Sequence, residues 1–157
     1  MQFNGSNRLT ITSPDISPIT DFTFECWTYY SNAASGNETN MEFSSSPRLI
    51  FGRKSSGIVR YYYDGDYSAD NVKMAAGIWY HLATTKKDNT IYAFIDGIVV
   101  LKVTSSSFAT ISSPSISLGR NGDNAEPMSG YMSDIRIYKN LAKYTSNFTP
   151  PNQIYLA

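Results

Sequence analysis

The 157-residue sequence contains one cysteine, Cys26, and one histidine, His81. A lone cysteine excludes an intramolecular disulfide, and one Cys with one His is too few for a Cys/His zinc site. A single imidazole also removes most acid–base chemistry that depends on histidine. Charge is sparse and balanced, with thirteen Lys+Arg against thirteen Asp+Glu. That balance argues against a nucleic-acid or anionic-membrane partner held by bulk electrostatics, and leaves a neutral ligand such as a glycan open. No apolar run approaches the roughly 18 residues of a membrane span. The opening Met1-Gln2-Phe3-Asn4-Gly5 has neither the basic nor the apolar region of a secretory signal. Strong helix formers are few: glutamate occurs four times, and seven leucines stand against fourteen isoleucines.

What is abundant points the other way. There are twenty-two aromatic residues, twelve of them tyrosine, and forty-six Ser, Thr and Asn residues. Aromatic and β-branched side chains suit a pleated sheet, whereas Ser and Asn compete with helical hydrogen bonds. A hydrophobic content of 41% is enough for a packed core. The expectation is an all-β single domain.

The order of segments agrees. Residues 8–12 alternate apolar and polar before Ser13-Pro14-Asp15 breaks the pattern. Residues 21–30 form the next strand, with Phe22, Phe24 and Cys26 on one face and Thr23, Glu25, Trp27 and Tyr29 on the other. Large aromatics on both faces imply that each face is covered, as in a sandwich. Residues 31–47 are polar and read as a long loop. Strands are expected over 48–52 and 57–63, a turn over 64–68 and a short edge strand over 72–74. Further strands follow over 78–86, 90–95, 98–103, 115–120 and 130–139. Asp96-Gly97 is the strongest hairpin signal, because it suits a type I′ turn. Ten to twelve short strands without a helix point to a sandwich or jelly roll.

Four motifs in order resemble the laminin-G-like, concanavalin A-like lectin/glucanase jelly rolls. They are Asp21-Phe22-Thr23-Phe24-Glu25-Cys26-Trp27, Gly77-Ile78-Trp79-Tyr80-His81-Leu82-Ala83, the 91–100 hairpin around Asp96-Gly97, and Ile116-Ser117-Leu118-Gly119-Arg120 followed by residues 130–138. The resemblance implies a two-sheet antiparallel jelly-roll β-sandwich over residues 1–157, with 140–157 an extended tail packed on it. The ending Tyr144-Thr145-Ser146-Asn147-Phe148-Thr149-Pro150-Pro151 is similar to that of laminin-G-like domains in tailed-phage and other viral proteins. Tyr144 and Phe148 are expected to anchor this tail. The resemblance therefore implies a non-enzymatic virion protein, a capsid decoration or a tail- or fibre-associated component. Its partners would be other capsid or tail proteins, and it would be a multicopy homo-oligomer assembled in the host cytoplasm. The alternative is a lectin-type module that recognises host surface glycans.

Glycan-cleaving relatives carry rows of carboxylates, and a glycosidase needs two flanking the scissile bond. Here Glu25 stands alone in its strand and Glu38 and Glu42 fall in the polar segment, so no catalytic residue is assigned. His81 reads as structural and Cys26 as a buried apolar residue. For glycan binding, the best cluster is Tyr61, Tyr63, Asp64, Asp66 and Tyr67, with Tyr30, Asn32, Asn37 and Asn40 as possible contributors. The resemblance also implies calcium at a rim loop; the loops 64–71 and 121–126 both carry enough oxygen donors, with Asp123, Asn124 and Glu126 the candidate ligands, and the alternative for each is an ordinary Asp/Asn/Gly turn. The sequons at Asn4, Asn37 and Asn147 matter only in a secretory pathway.

Overall fold

A computed structural model describes residues 1–12, 19–44, 48–63, 65–108, 110–112 and 115–152, the side chains of 70 and 71 excepted. Twelve strands and no helix occur among the described residues: β1 (Gln2–Asn4), β2 (Leu9–Ile11), β3 (Phe22–Tyr30), β4 (Glu38–Ser44), β5 (Leu49–Arg53), β6 (Ile58–Tyr63), β7 (Asp66–Lys73), β8 (Trp79–Lys87), β9 (Thr90–Ile95), β10 (Ile98–Thr104), β11 (Ser115–Leu118) and β12 (Ser129–Lys139). They pair into two antiparallel six-stranded sheets. Sheet A runs β1-β12-β3-β8-β9-β10, and sheet B runs β2-β11-β4-β5-β6-β7.

The period-two pattern sends one face of each sheet into a shared core. From sheet A come Phe22, Phe24, Cys26 and Leu82; from sheet B come Met41, Phe43, Phe51 and Tyr61, all fully buried. Rings from the two layers meet edge to face, Phe22 on Phe43 at 5.0 Å and Phe24 on Phe51 at 6.2 Å. That arrangement adds to the hydrophobic term the favourable contact of ring edge and ring face. Burial pushes the Cys26 thiol far above its ordinary range, with the charges of Glu25 and Asp134 adding to the effect. Cys26 is therefore an inert core residue. Asp96 and Gly97 both have positive φ, 50° and 77°, as a type I′ hairpin requires.

Two expectations need correction. The polar segment 31–47 is not one loop, because β4 lies within it and pairs with both β5 and β11. Its polar side chains are buried with partners. Tyr30 OH donates to Asn40 Oδ1 at 2.6 Å, and Asn40 Nδ2 donates to Thr28 Oγ1 at 3.0 Å. Glu38 pairs with the fully buried Arg53, whose guanidinium also lies 3.7 Å from the Tyr30 ring centroid. Tyr30 and Asn40 are thus core residues and offer nothing to a ligand. The expected turn at 64–68 and edge strand at 72–74 are likewise largely one strand, β7.

Candidate functional site

The outward side chains of β3 are Thr23, Glu25, Trp27 and Tyr29. Strand register sets each beside a specific neighbour on β12 and β8, giving three successive rows across sheet A.

The first row runs Gln2–Tyr131–Tyr29–Trp79 over four adjacent strands, each member directly opposite the next. Ring centroids are 5.9 Å apart for Tyr131 and Tyr29, and 5.5 Å for Tyr29 and Trp79, with planes tilted by 61° and 49°. Tyr131 is 40% exposed and Ile78, next to Trp79, 50%. Tyr29 and Trp79 are half-buried. Neither phenol of the row, nor its indole N–H, nor the Gln2 amide makes a hydrogen bond to a described residue. β12 reaches this position because residue 130 is glycine: a Cβ there would stand 1.9 Å from the Tyr29 carbonyl oxygen. The row combines apolar ring faces with unused donors and acceptors, the chemistry that recognises a sugar.

The second row is Ser133–Trp27–His81. Each member carries a buried polar atom with no hydrogen-bond partner among the described residues: Ser133 Oγ, Trp27 Nε1 and His81 Nδ1. A buried unsatisfied group costs about 1–3 kcal/mol. Ser44 Oγ, Arg48 Nη2 and the Tyr61 hydroxyl, on or beside sheet B, are orphaned in the same way, so these atoms do not by themselves single out this face.

The third row centres on Glu25, which is 1% exposed. Lys143 Nζ and the hydroxyls of Tyr138 and Tyr144 donate to its carboxylate at 2.7, 3.0 and 2.8 Å, and His81 Nε2 lies 3.4 Å away. Burial raises the affinity of Glu25 for a proton, but the contacts from His81, Lys143, Tyr144 and Tyr138 outweigh it and hold the carboxyl well below the usual carboxylate range. The tail following β12 supplies two of those partners. Thr23 Oγ1 donates to Leu141 O at 2.9 Å and accepts from Lys143 N at 2.8 Å. Tyr144 and Phe148 stack at 3.5 Å, and Phe148 stands edge-on to Phe94 and His81. Phe148 N donates to Gly97 O at 2.9 Å, and a Cβ at Gly97 would meet Phe148 O at 2.0 Å.

The residues expected to bind a ligand lie elsewhere, on sheet B. Tyr61 and Tyr63 share a face, but it is the core face, and both are fully buried. Burial lifts the Tyr61 hydroxyl well above its ordinary pKa. Tyr63 packs edge-on against Phe108 at 5.0 Å, and Tyr67 meets the same ring at 5.9 Å. Neither Tyr61 nor Tyr63 can stack on a sugar, because sheet A covers them. Asp64 lies outside the described residues. Asp66 is ion-paired with Arg60 at 2.7 Å and Lys54 at 3.1 Å.

Glu126, from the other candidate loop, contacts the same Arg60 at 2.7 Å and accepts from Thr39 Oγ1 at 3.1 Å. Asp123 pairs with Arg48, which also holds Glu42 at 2.5 Å. Asn124 is exposed, and its carbonyl accepts from Arg120 at 2.7 Å. The fold thus brings Asp66 and Glu126 together, but onto a guanidinium. These residues do not fit a calcium ion as arranged: an arginine stands on each carboxylate, and no cluster of three metal-ligating side chains occurs among the described residues. The pocket of 310 Å³ beside them is lined by the already paired Glu42, Arg48 and Asp123, with Ser44 and Gly122.

A laminin G family model of the concanavalin A-like lectin/glucanases superfamily matches residues 3–143. The chain belongs to this superfamily. No curated protein matches it by sequence. Among solved structures, it is similar to domain 4 of AbnA, a GH43 extracellular arabinanase from Geobacillus stearothermophilus, in complex with arabinotriose. The TM-score is 0.71 at 18% identity, covering 88% of this chain and 69% of that one. It is similar to the CBM40 of the Ruminococcus gnavus IT-sialidase bound to α2,3-sialyllactose, with TM-score 0.70, 10% identity and 88% of each chain covered. A heptameric SAP-like pentraxin from Limulus polyphemus gives a TM-score of 0.68 at 15% identity, over 87% of this chain and 73% of that one. At these identities the likeness establishes the superfamily's lectin-like sandwich. Nothing in these comparisons supports a virion role.

Proposed function

We propose that this chain is a non-catalytic carbohydrate-binding module whose contact face is the Gln2–Tyr131–Tyr29–Trp79 row of sheet A. The observation that carries the reading is the in-register alignment of three accessible rings and an amide, none of whose polar groups is used by a described residue. Stacking of ring faces on sugar C–H faces, with hydrogen bonds at the rim, needs only such a surface. Neighbours of the same fold in complex with arabinotriose and sialyllactose support the class of ligand. Hydrolysis is disfavoured by the state of Glu25. Its carboxylate is enclosed by the tail and held ionised, whereas a glycosidase exposes two carboxyl groups to the scissile bond. The particle-protein reading has no observation in the fold to favour it. Saturation-transfer NMR against a panel of oligosaccharides tests the proposal. Signal is expected for at least one glycan and is lost in Trp79→Ala but kept in Tyr62→Ala on sheet B. No response to any glycan rejects it.

A further inference from the structure

We infer that the Lys86 amine is a covalent modification site, condensing reversibly with a small hydroxyaldehyde admitted to a pocket at the end of β8 opposite Trp79. This goes beyond the carbohydrate-binding reading and does not rest on it. Strand parity sets the position. Lys86 lies directly opposite Phe22 in the β3–β8 register, and Phe22 is a fully buried core residue. The lysine therefore extends from the core face of sheet A and is only 3% exposed, a burial lysine seldom reaches without a charged partner. It lines a cavity of about 410 Å³ together with Thr20, Asp21, Asp88, Asn89, Phe108 and Thr110.

The partner is missing. Lys86 Nζ donates to the Thr20 carbonyl at 2.5 Å, its one hydrogen bond among the described residues. Lys54 and Lys143, by contrast, are ion-paired with Asp66 and Glu25. An ammonium carries three N–H donors, so two are unspent inside the fold. Asp21 accepts the Asp88 amide at 2.8 Å, and the two carboxylates act on Lys86 through their charge. Burial favours the uncharged amine, and Asp21 and Asp88 offset this only in part, leaving Lys86 easier to deprotonate than an ordinary lysine. The other lining residues carry no charge. The uncharged amine is the nucleophilic form.

The walls select the electrophile. Two carboxylates disfavour an anion such as a keto acid, while their oxygens, the Asn89 amide and the Thr110 hydroxyl suit a carbonyl compound that bears hydroxyls. The volume lies near the lower end of the range of roughly 300–1,000 Å³ for ligand cavities, so the compound is small. The amine lone pair attacks the aldehyde carbon and a C–N bond forms. Both amine protons pass to the former carbonyl oxygen, with Asp21 or Asp88 as the carrier, and that oxygen leaves as water when the C=N bond forms. Amine and aldehyde thus give imine and water, with no oxidant or reductant.

The test treats the full chain at neutral pH with glyceraldehyde, and separately with propanal, in the presence of cyanoborohydride to trap the imine. Labelling is read residue by residue by fragment-ion mass spectrometry. Lys87, the exposed neighbour on the same strand, is the internal reference. Lys86 should label about fivefold faster than Lys87 with glyceraldehyde. The ratio should be smaller with propanal and should fall to about one in concentrated urea, where the pocket is gone. The Lys86 rate should also level off at a lower pH than the Lys87 rate. Lys86→Arg should abolish the fast label, and Lys87→Arg should leave it. Labelling of Lys87 as fast as Lys86 would overturn the inference, as would a ratio that survives urea. A ratio no smaller with propanal would overturn the choice of a hydroxyaldehyde.

Discussion

One face of sheet A is two different surfaces, and β3 runs through both. At its C-terminal end Tyr29 and Trp27 are half-buried beside Tyr131 and Trp79. At its N-terminal end Thr23 and Glu25 are sealed, with 0% and 1% exposure, beneath residues 141–148. The strand has the same parity throughout, so the sheet does not make the difference. The tail does: it supplies a lysine and a phenol to Glu25 and two stacked rings to Phe94, and among the described residues its ring and hydrogen-bond contacts fall on the Glu25 half of the face. The covered half works as core, while the open half keeps unused polar groups. Function is expected where covering ends.

Substitutions on the two halves should therefore part stability from binding. The largest effect is expected for Phe94→Ala. Phe94 is fully buried under Phe148 and Tyr144 although it points away from the main core. Its loss should cost about 3–5 kcal/mol in chemical denaturation. A value under about 1 kcal/mol would mean that the tail is only loosely docked.

Glu25→Gln should cost about 1.5–3 kcal/mol at pH 7, the range for hydrogen bonds to a charged group. It should also change the pH dependence. The folded-state pKa of Glu25 lies below its unfolded value of about 4.3, so the contribution is present above that pH and is lost as pH falls through and below it. The parent protein should therefore lose stability between about pH 5 and pH 2 more steeply than the glutamine variant. Parallel curves would remove Glu25 from the account.

Trp79→Ala should change stability least, by no more than about 1 kcal/mol, as for a surface position. Its effect should fall on glycan affinity, the reverse of Phe94→Ala. A large loss of stability here would merge the two halves into one structural surface.

Much of this arrangement could be read before the fold was known. The parity of β3 and the Asp96-Gly97 hairpin are local or short-range features, written in alternation and turn chemistry. β4 escaped notice because Glu38, Asn40 and Glu42 look like loop residues. They are buried only because Arg53, Tyr30, Thr28 and Arg48 arrive from elsewhere to satisfy them. The tyrosines of β6 show the limit from the other side. Alternation correctly groups Tyr61 with Tyr63 but cannot say which face meets the other sheet. The row Gln2–Tyr131–Tyr29–Trp79 left only faint signals, a tryptophan opening β8 and a Gly-Tyr step in β12.

The order of residues by itself determined the strand periods, the turns and the chemical inventory, since each depends on neighbours within a few positions. Only the tertiary structure decided which tyrosines face solvent, which carboxylates meet arginines, and that four residues spread from position 2 to position 131 share one line. Those outcomes depend on pairing register and on what lies above each sheet, contacts between segments whose separation along the chain carries no local trace.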